Sequence, residues 1–233
     1  MTTAPAPVAL LGGTFDPVHY GHLRFADAVR RALGLSEVRL VPAGDPPHRD
    51  TPMAPAADRL AMLKLAVSEF PGLVVDDREL RRAGKSYTVD TLTDLRREYP
   101  DHPLLLLLGA DAFRGLPAWH RWRELFGLAH LVVVARPGVE FDLERAPALL
   151  GEWEHRHVRD PGALLAAPAG AILVQPVTAH DISATAIRVR LARGAEGRDE
   201  VRGLLPPAVL AYIERNQLYR SPPCPSESSP RSP

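Results

Sequence analysis

His19 and His22 stand three positions apart in His19-Tyr20-Gly21-His22, directly behind Gly12-Gly13-Thr14-Phe15-Asp16-Pro17-Val18 and an apolar run that starts at Val8. An apolar run, a pair of glycines and then an amphipathic stretch read as a strand turning into a helix. The glycines let the backbone come close to a ligand, and the helix start offers unpaired N–H groups and the positive end of the helix dipole. Both imidazoles then fall on one face of the first turn. Imidazole donors beside free amides suit charge accumulating on phosphate oxygens, and they suit a metal less well because no thiolate or carboxylate set is completed around them. A histidine pair alone fits packing or surface equally well. The glycine-rich prefix is what turns the reading towards function.

Other residue groups with chemistry to offer follow later apolar runs. Asp45-Pro46-Pro47-His48-Arg49 comes after a second run, where an open sheet places its ligand loops, although a proline-rich surface turn fits too. Gly84-Lys85-Ser86-Tyr87-Thr88 opens a helical stretch whose amides suit a small carboxylate, with Tyr87 as an aromatic wall; a plain capped surface helix has the same look. Leu108-Gly109-Ala110-Asp111 leaves the most hydrophobic run of the chain, and Trp119-His120-Arg121-Trp122 follows closely. Trp122 reads as core and Trp119 as a stacking surface. Arg136, in Ala135-Arg136-Pro137-Gly138, suits either the same rim or a solvent-facing turn. In Asp181-Ile182-Ser183-Ala184-Thr185-Ala186-Ile187-Arg188, Ser183 caps a helix whose Thr185 and Arg188 add a hydroxyl and a guanidinium for a polyphosphate. His155 and His157 alternate in a charged loop and read as solvated surface, so no metal is assigned there.

These groups need elements to position them. Apolar runs at Val8–Leu11, Val38–Val41, Leu73–Val75, Leu104–Leu108, Leu131–Ala135 and Ala171–Val174 read as buried parallel strands. Helical stretches fall between most of them: Gly21–Leu33, Ala57–Glu69, Val89–Tyr99 behind a Thr88 cap, Ala184–Ala192 behind Ser183, and a last helix at Pro206–Asn216. The alternation predicts an α/β fold with a doubly wound parallel sheet. Two familiar phosphate loops are excluded. Gly-x-Gly-x-x-Gly is missing after the first run, and Gly84-Lys85-Ser86 lacks a P-loop's earlier glycine, Glu79 standing there instead.

A chain of 233 residues suits one sizeable core, expected over 7–220, with 221–233 a Ser/Pro-rich segment expected to be disordered and without chemistry. Lys plus Arg number 28 against 28 Asp plus Glu, so no global field steers a nucleic acid and the expected partners are small molecules. The single Cys224 excludes an internal disulfide framework and fits a reducing compartment, the cytoplasm. The start lacks a basic, apolar leader, and no apolar run is long enough to span a bilayer, so neither secretion nor membrane insertion is expected.

Taken together, the motifs resemble, over roughly residues 7 to 219, the nucleotidylyltransferase superfamily, with its HxGH and ISxTxxR signatures. The Ser86-Tyr87-Thr88-Val89-Asp90-Thr91-Leu92 segment and the PPH-plus-basic segment narrow the resemblance to bacterial nicotinate-nucleotide adenylyltransferases. Arg49 stands where that family more usually has lysine. The resemblance implies a Rossmann-like sheet with C-terminal helices, in which strand order reverses beside the first strand and the Gly12 and Gly109 loops face one crevice. It also implies adenylyl transfer from ATP to nicotinate mononucleotide in NAD synthesis, with Mg²⁺ held mainly by phosphates and water. On this basis His19, His22 and Arg188 are expected to be catalytic. Gly12, Gly13, Thr14, Phe15, Gly109, Asp111, Ser183 and Thr185 are expected to bind ATP, and Asp16, His48, Arg49, Ser86, Tyr87, Thr88, Trp119, His120 and Arg136 the acceptor. A homo-oligomer is compatible with this reading. Two alternatives stay open: pantetheine-phosphate adenylyltransferase or another branch, which shares both phosphate motifs, and a nucleotide-binding sensor or scaffold without turnover.

Overall fold

The computed structural model describes residues 5–47, 51–135, 146–177 and 182–220. The segment 221–233 lies outside them. The strands are β1 (Val8–Gly13), β2 (Val38–Pro42), β3 (Leu73–Val75), β4 (Leu104–Gly109), β5 (His130–Ala135), β6 (His157–Val158) and β7 (Ile172–Pro176). They form one sheet in the order β3-β2-β1-β4-β5-β7-β6, and every neighbouring pair is parallel. Strand order reverses between β1 and β4, so a crevice opens at their carboxyl ends.

The helices are α1 (Tyr20–Ala32), α2 (Ala56–Val67), α3 (Arg78–Arg81), α4 (Thr88–Glu98), α5 (Ala110–Arg114), α6 (Leu125–Leu128), α7 (Leu150–Arg156), α8 (Ala184–Leu191), α9 (Ala195–Val201) and α10 (Pro207–Arg215). Alternate residues of each strand point to opposite faces, which divides the core in two. Ala9, Leu11, Leu105 and Leu107 pack with Leu23, Ala26 and Val29 of α1, Met62 and Leu63 of α2, Ile187 of α8 and Ile213 of α10. Val8, Leu10, Leu104, Leu106 and Leu108 pack instead with Val89, Leu92 and Leu95 of α4, Phe113 of α5 and Phe126 of α6. Each buried Val, Leu, Ile, Met or Phe side chain contributes about 1.5–3 kcal/mol, which is why strands covered on both faces are apolar throughout.

The predicted strands and long helices are present with shifted ends. Two local readings change. Thr88 is the first residue of α4 and Tyr87 occupies the cap position, without a side-chain cap bond. The segment expected to be a charged loop forms α7 and the two-residue strand β6. There the His157 ring stacks on Trp153 with centroids 4.1 Å apart, and His155 Nδ1 lies 2.6 Å from the Gly151 carbonyl. Among the described residues no helix is long and apolar enough to cross a membrane.

Candidate active site

Two adjoining cavities occupy the crevice. The larger, about 1230 Å³, is lined by Phe15, Asp16, His19, Gly21, His22, Gly109, Ser183, Thr185 and Arg188 among others. The smaller, about 300 Å³, is lined by Glu79, Ser86, Tyr87, Thr88, Trp119 and His120 among others. Gly12, Gly13, Thr14, Pro47 and Asp111 line both, so the two meet along the end of β1. His48, Arg49 and Arg136 lie outside the described residues. The remaining sequence-predicted site residues all line one cavity or both.

The β1–α1 turn is shaped by small residues under rings. Phe15 is buried with a φ of 50°, and its ring covers Gly13, where a Cβ would come within 3.0 Å of it. A Cβ at Gly12 would meet nothing within 4 Å, so the space beside Gly12 belongs to the crevice. A Cβ at Gly21 would lie 2.9 Å from His19 Nδ1. Glycine there allows the His19 ring to lie on the helix start and stack on His22, with centroids 3.7 Å apart and planes 22° apart. The Phe15 ring meets His22 edge-on at 5.0 Å.

The two imidazoles differ in electrostatics. His19 is 4% exposed, and burial lowers its pKa to about 4, so it is neutral at physiological pH. Among the described residues its buried Nδ1 has no hydrogen-bond partner. His22 Nδ1 accepts from the His19 amide at 3.4 Å, an arrangement that in the neutral ring leaves Nε2 as the N–H donor. The first turn of α1 is less open than its sequence implies. The Tyr20 amide donates to the Leu204 carbonyl at 2.9 Å and the His22 amide to His19 at 3.0 Å, leaving Gly21 as the first-turn amide on the cavity.

Across the crevice, Ser183 caps α8 by accepting from the Ala186 amide at 3.4 Å. Ser183 and Thr185 are exposed, and Arg188 Nη2 donates to Thr185 Oγ1 at 3.2 Å while Nη1 donates to the Asp16 carbonyl at 2.7 Å. Asp16 itself is buried with both carboxylate oxygens in use. They accept from the Met53 amide (2.8 Å), the Ala54 amide (3.1 Å) and the Tyr219 hydroxyl (2.7 Å). Asp16 therefore sits at the cavity and braces separate segments together.

In the smaller cavity the aromatic wall is Tyr87, Trp119 and His120, with the His120 ring 4.3 Å from Tyr87. Trp122 is buried, as its reading as core required, whereas Trp119 lines the cavity and is itself partly buried against the core. Ser86 Oγ accepts from the Gly44 amide at 2.8 Å and the Asp45 amide at 3.3 Å, so this hydroxyl joins the β2–α2 loop to the α4 start. The Ser86 amide donates to the Asp45 carbonyl, which leaves Thr88 and Val89 as the first-turn amides of α4. Burial raises the Glu79 carboxyl despite the bond from the Thr91 hydroxyl. Asp111 is exposed and pairs with Arg114. Among the described residues no group of His, Cys, Asp and Glu is arranged to hold a metal ion.

The site's architecture matches known proteins. The profile of a family described as cytidylyltransferase-like covers residues 10–190. A protein of Laribacter hongkongensis named probable nicotinate-nucleotide adenylyltransferase is 52% identical over 223 residues, spanning 95% of this chain and 98% of its own length. The chain belongs to the nicotinate-nucleotide adenylyltransferase family. Another nicotinate-nucleotide adenylyltransferase relative, also named as probable, from Pseudomonas fluorescens, is 52% identical over 92% of the chain and 98% of its own length. The fold is shared with solved structures. One is Plasmodium falciparum nicotinic acid mononucleotide adenylyltransferase complexed with NaAD, at TM-score 0.70 and 16% identity over 92% of this chain and 97% of that one. Another is a putative nicotinate-nucleotide adenylyltransferase from Vibrio parahaemolyticus, at TM-score 0.60 and 15% identity over 93% and 97%.

In this member of the nicotinate-nucleotide adenylyltransferase family the crevice also relies on residues that motif reading passes over. Arg59 of α2, 1% exposed, donates to the carbonyls of Thr14 (2.7 Å), Gly44 (3.2 Å) and Ala54 (3.3 Å), tying both ligand loops together. Only its place on the inward face of a helix, beside Met62 and Leu63, hints at this. Tyr219 carries no local signal at all.

Proposed function

We propose that this chain transfers the adenylyl group of ATP to nicotinate mononucleotide, giving the deamido dinucleotide and pyrophosphate. The observation that carries the proposal is the seam between the two cavities at Gly12, Gly13, Thr14 and Asp111. A mononucleotide with its ring against Tyr87 and Trp119 has its phosphate at that seam, facing the α-phosphate of a nucleotide in the larger cavity.

The acceptor's phosphate is already ionised near neutral pH, so no base is required. Its oxygen forms a bond to the α-phosphorus, the bond from that phosphorus to the bridging oxygen breaks, and the electron pair leaves with pyrophosphate. No proton moves. The protein's task is positioning and charge stabilisation. His22 Nε2 donates to the α-phosphate oxygens, with the neutral His19 stacked behind it and the Gly21 amide beside it. Ser183, Thr185 and Arg188 hold the departing phosphates, and Asp111 meets the ribose hydroxyls of ATP. Gly12, Gly13, Thr14, Phe15 and Gly109 supply the backbone surface. The acceptor's carboxylate faces the α4 start at Ser86, Tyr87 and Thr88, with His120 against Tyr87. His48, Arg49 and Arg136 are assigned to the acceptor, and Asp16 to positioning it through the loop it braces.

Among the described residues Mg²⁺ fits only as part of the nucleotide. The Asp16 carboxylate is occupied by three donors and Asp111 is paired with Arg114, so the ion is assigned to phosphate oxygens and water. The equal acid and base count supports small-molecule partners, and a lone cysteine supports the cytoplasm. The test is pyrophosphate release from ATP with three acceptors: nicotinate mononucleotide, its amide and phosphopantetheine. Preference for the first is expected. Preference for phosphopantetheine would reject the assignment, and nucleotide binding without release would identify a sensor.

A further inference from the structure

We infer that Tyr219 is a positioning residue for the phosphate crevice, acting from the far end of the described chain through Asp16. The proposal rests on the adenylyl-transfer reading and adds a part to it. Tyr219 lies 203 positions beyond Asp16, is 6% exposed, and holds a φ of 61°, a left-handed backbone that side-chain-bearing residues rarely adopt. Its hydroxyl donates to Asp16 Oδ1 at 2.7 Å. Burial and the neighbouring carboxylate raise its pKa, so it remains a donor throughout the working range.

What Asp16 does explains why this bond reaches the reaction. The same carboxylate accepts from the Met53 and Ala54 amides, and Met53 lines the larger cavity. The Asp16 carbonyl takes Arg188 Nη1 at 2.7 Å, which fixes the plane of the guanidinium whose other amino group reaches Thr185. Asp16 is therefore the joint between the β1–α1 turn, the Met53 segment and the cation of α8. Losing the Tyr219 donor leaves a buried carboxylate oxygen with one fewer partner, and Asp16 shifts to find another. Arg188 and the Met53 segment move with it, while the aromatic wall of the acceptor pocket, on the other side of β1, does not.

Tyr219→Phe keeps the ring in the core and removes only the donor; Tyr219→Leu is a second variant lacking it. The control is Tyr212→Phe, which loses a comparable bond, Tyr212 hydroxyl to Asp58 at 2.8 Å, between α10 and α2 and away from both cavities. Pyrophosphate release and thermal melts are measured on all three and on the wild type. Both Tyr219 variants are expected to fold and to lose about tenfold in kcat, with KM for nicotinate mononucleotide within about twofold of wild type. Tyr212→Phe is expected to melt lower by a similar amount and to keep its kcat. Wild-type kcat in either folded Tyr219 variant, a loss shared by Tyr212→Phe, or a loss confined to the acceptor's KM would overturn the proposal. A wild type that releases no pyrophosphate would instead reject the adenylyl-transfer reading, and this proposal with it.

Discussion

Gly21→Ala separates what the helix prefers from what the site requires. An α-helix favours alanine over glycine by up to about 1 kcal/mol, so propensity alone predicts a more stable protein. The added Cβ, however, would lie 2.9 Å from His19 Nδ1, 3.0 Å from Cε1 and 3.3 Å from Ile182 Cβ. Ordinary contact needs several tenths of an ångström more, and the buried His19 ring can give way only by sliding against His22, stacked at 3.7 Å. Overpacking of this kind costs about 1–3 kcal/mol, so the net change in stability is a loss of roughly 0–2 kcal/mol. Turnover suffers separately, because a misplacement approaching 1 Å costs about 100-fold and this shift is about half that, giving roughly tenfold in kcat. Thermal melting and steady-state pyrophosphate release on the same preparation provide the assay. A folded Gly21→Ala protein with wild-type kcat would show that the His19–His22 stack does not set the rate.

Gly12→Ala meets no protein atom, so its melting temperature should hold while the methyl group intrudes on the crevice and raises KM for ATP; unchanged kinetics would remove Gly12 from the site. Ser86→Ala leaves the Gly44 and Asp45 amides without their acceptor and should cost about 1–3 kcal/mol in denaturant melts, while the preference for the acid acceptor survives through the α4 amides. Trp119→Ala should raise KM for the acid and amide acceptors alike; loss of one only would deny it a stacking role. For His19, burial lowers the folded pKa from 6.5 to about 4, so the folded state binds the proton less well than the unfolded. Its contribution is full above pH 6.5 and is lost as pH falls through about 4, a decline on the order of 3 kcal/mol that His19→Gln should abolish in pH-dependent melts.

The parallel sheet was legible because strands covered on both faces must be apolar, as Leu104–Leu108 and Leu131–Ala135 are. The two-residue edge strand His157–Val158 was not, being too short and too polar to leave a pattern. The contents of the crevice were readable wherever chemistry and local chain geometry coincide, as at His19-Tyr20-Gly21-His22 and Ser183. They were unreadable where a distant segment takes up a polar group. The Tyr20 amide looked free until Leu204 supplied its carbonyl, and the Asp16 carboxylate looked available until Met53, Ala54 and Tyr219 occupied it. The Ser86 hydroxyl is the same case, engaged by Gly44 and Asp45 from the loop after β2. Nothing within a few residues of these groups encodes such partners; the topology of the sheet creates them.

Attack on the α-phosphate of ATP by the phosphate of nicotinate mononucleotide is decided by where an isotope ends up. ATP labelled with ³²P at the α-position is incubated with the full-length chain and the mononucleotide, and the products are separated. The label is expected in the dinucleotide, one for each pyrophosphate released unlabelled, and to be reduced together with pyrophosphate in His22→Ala. Label retained in ATP or recovered as free AMP, with no labelled dinucleotide formed, would contradict it.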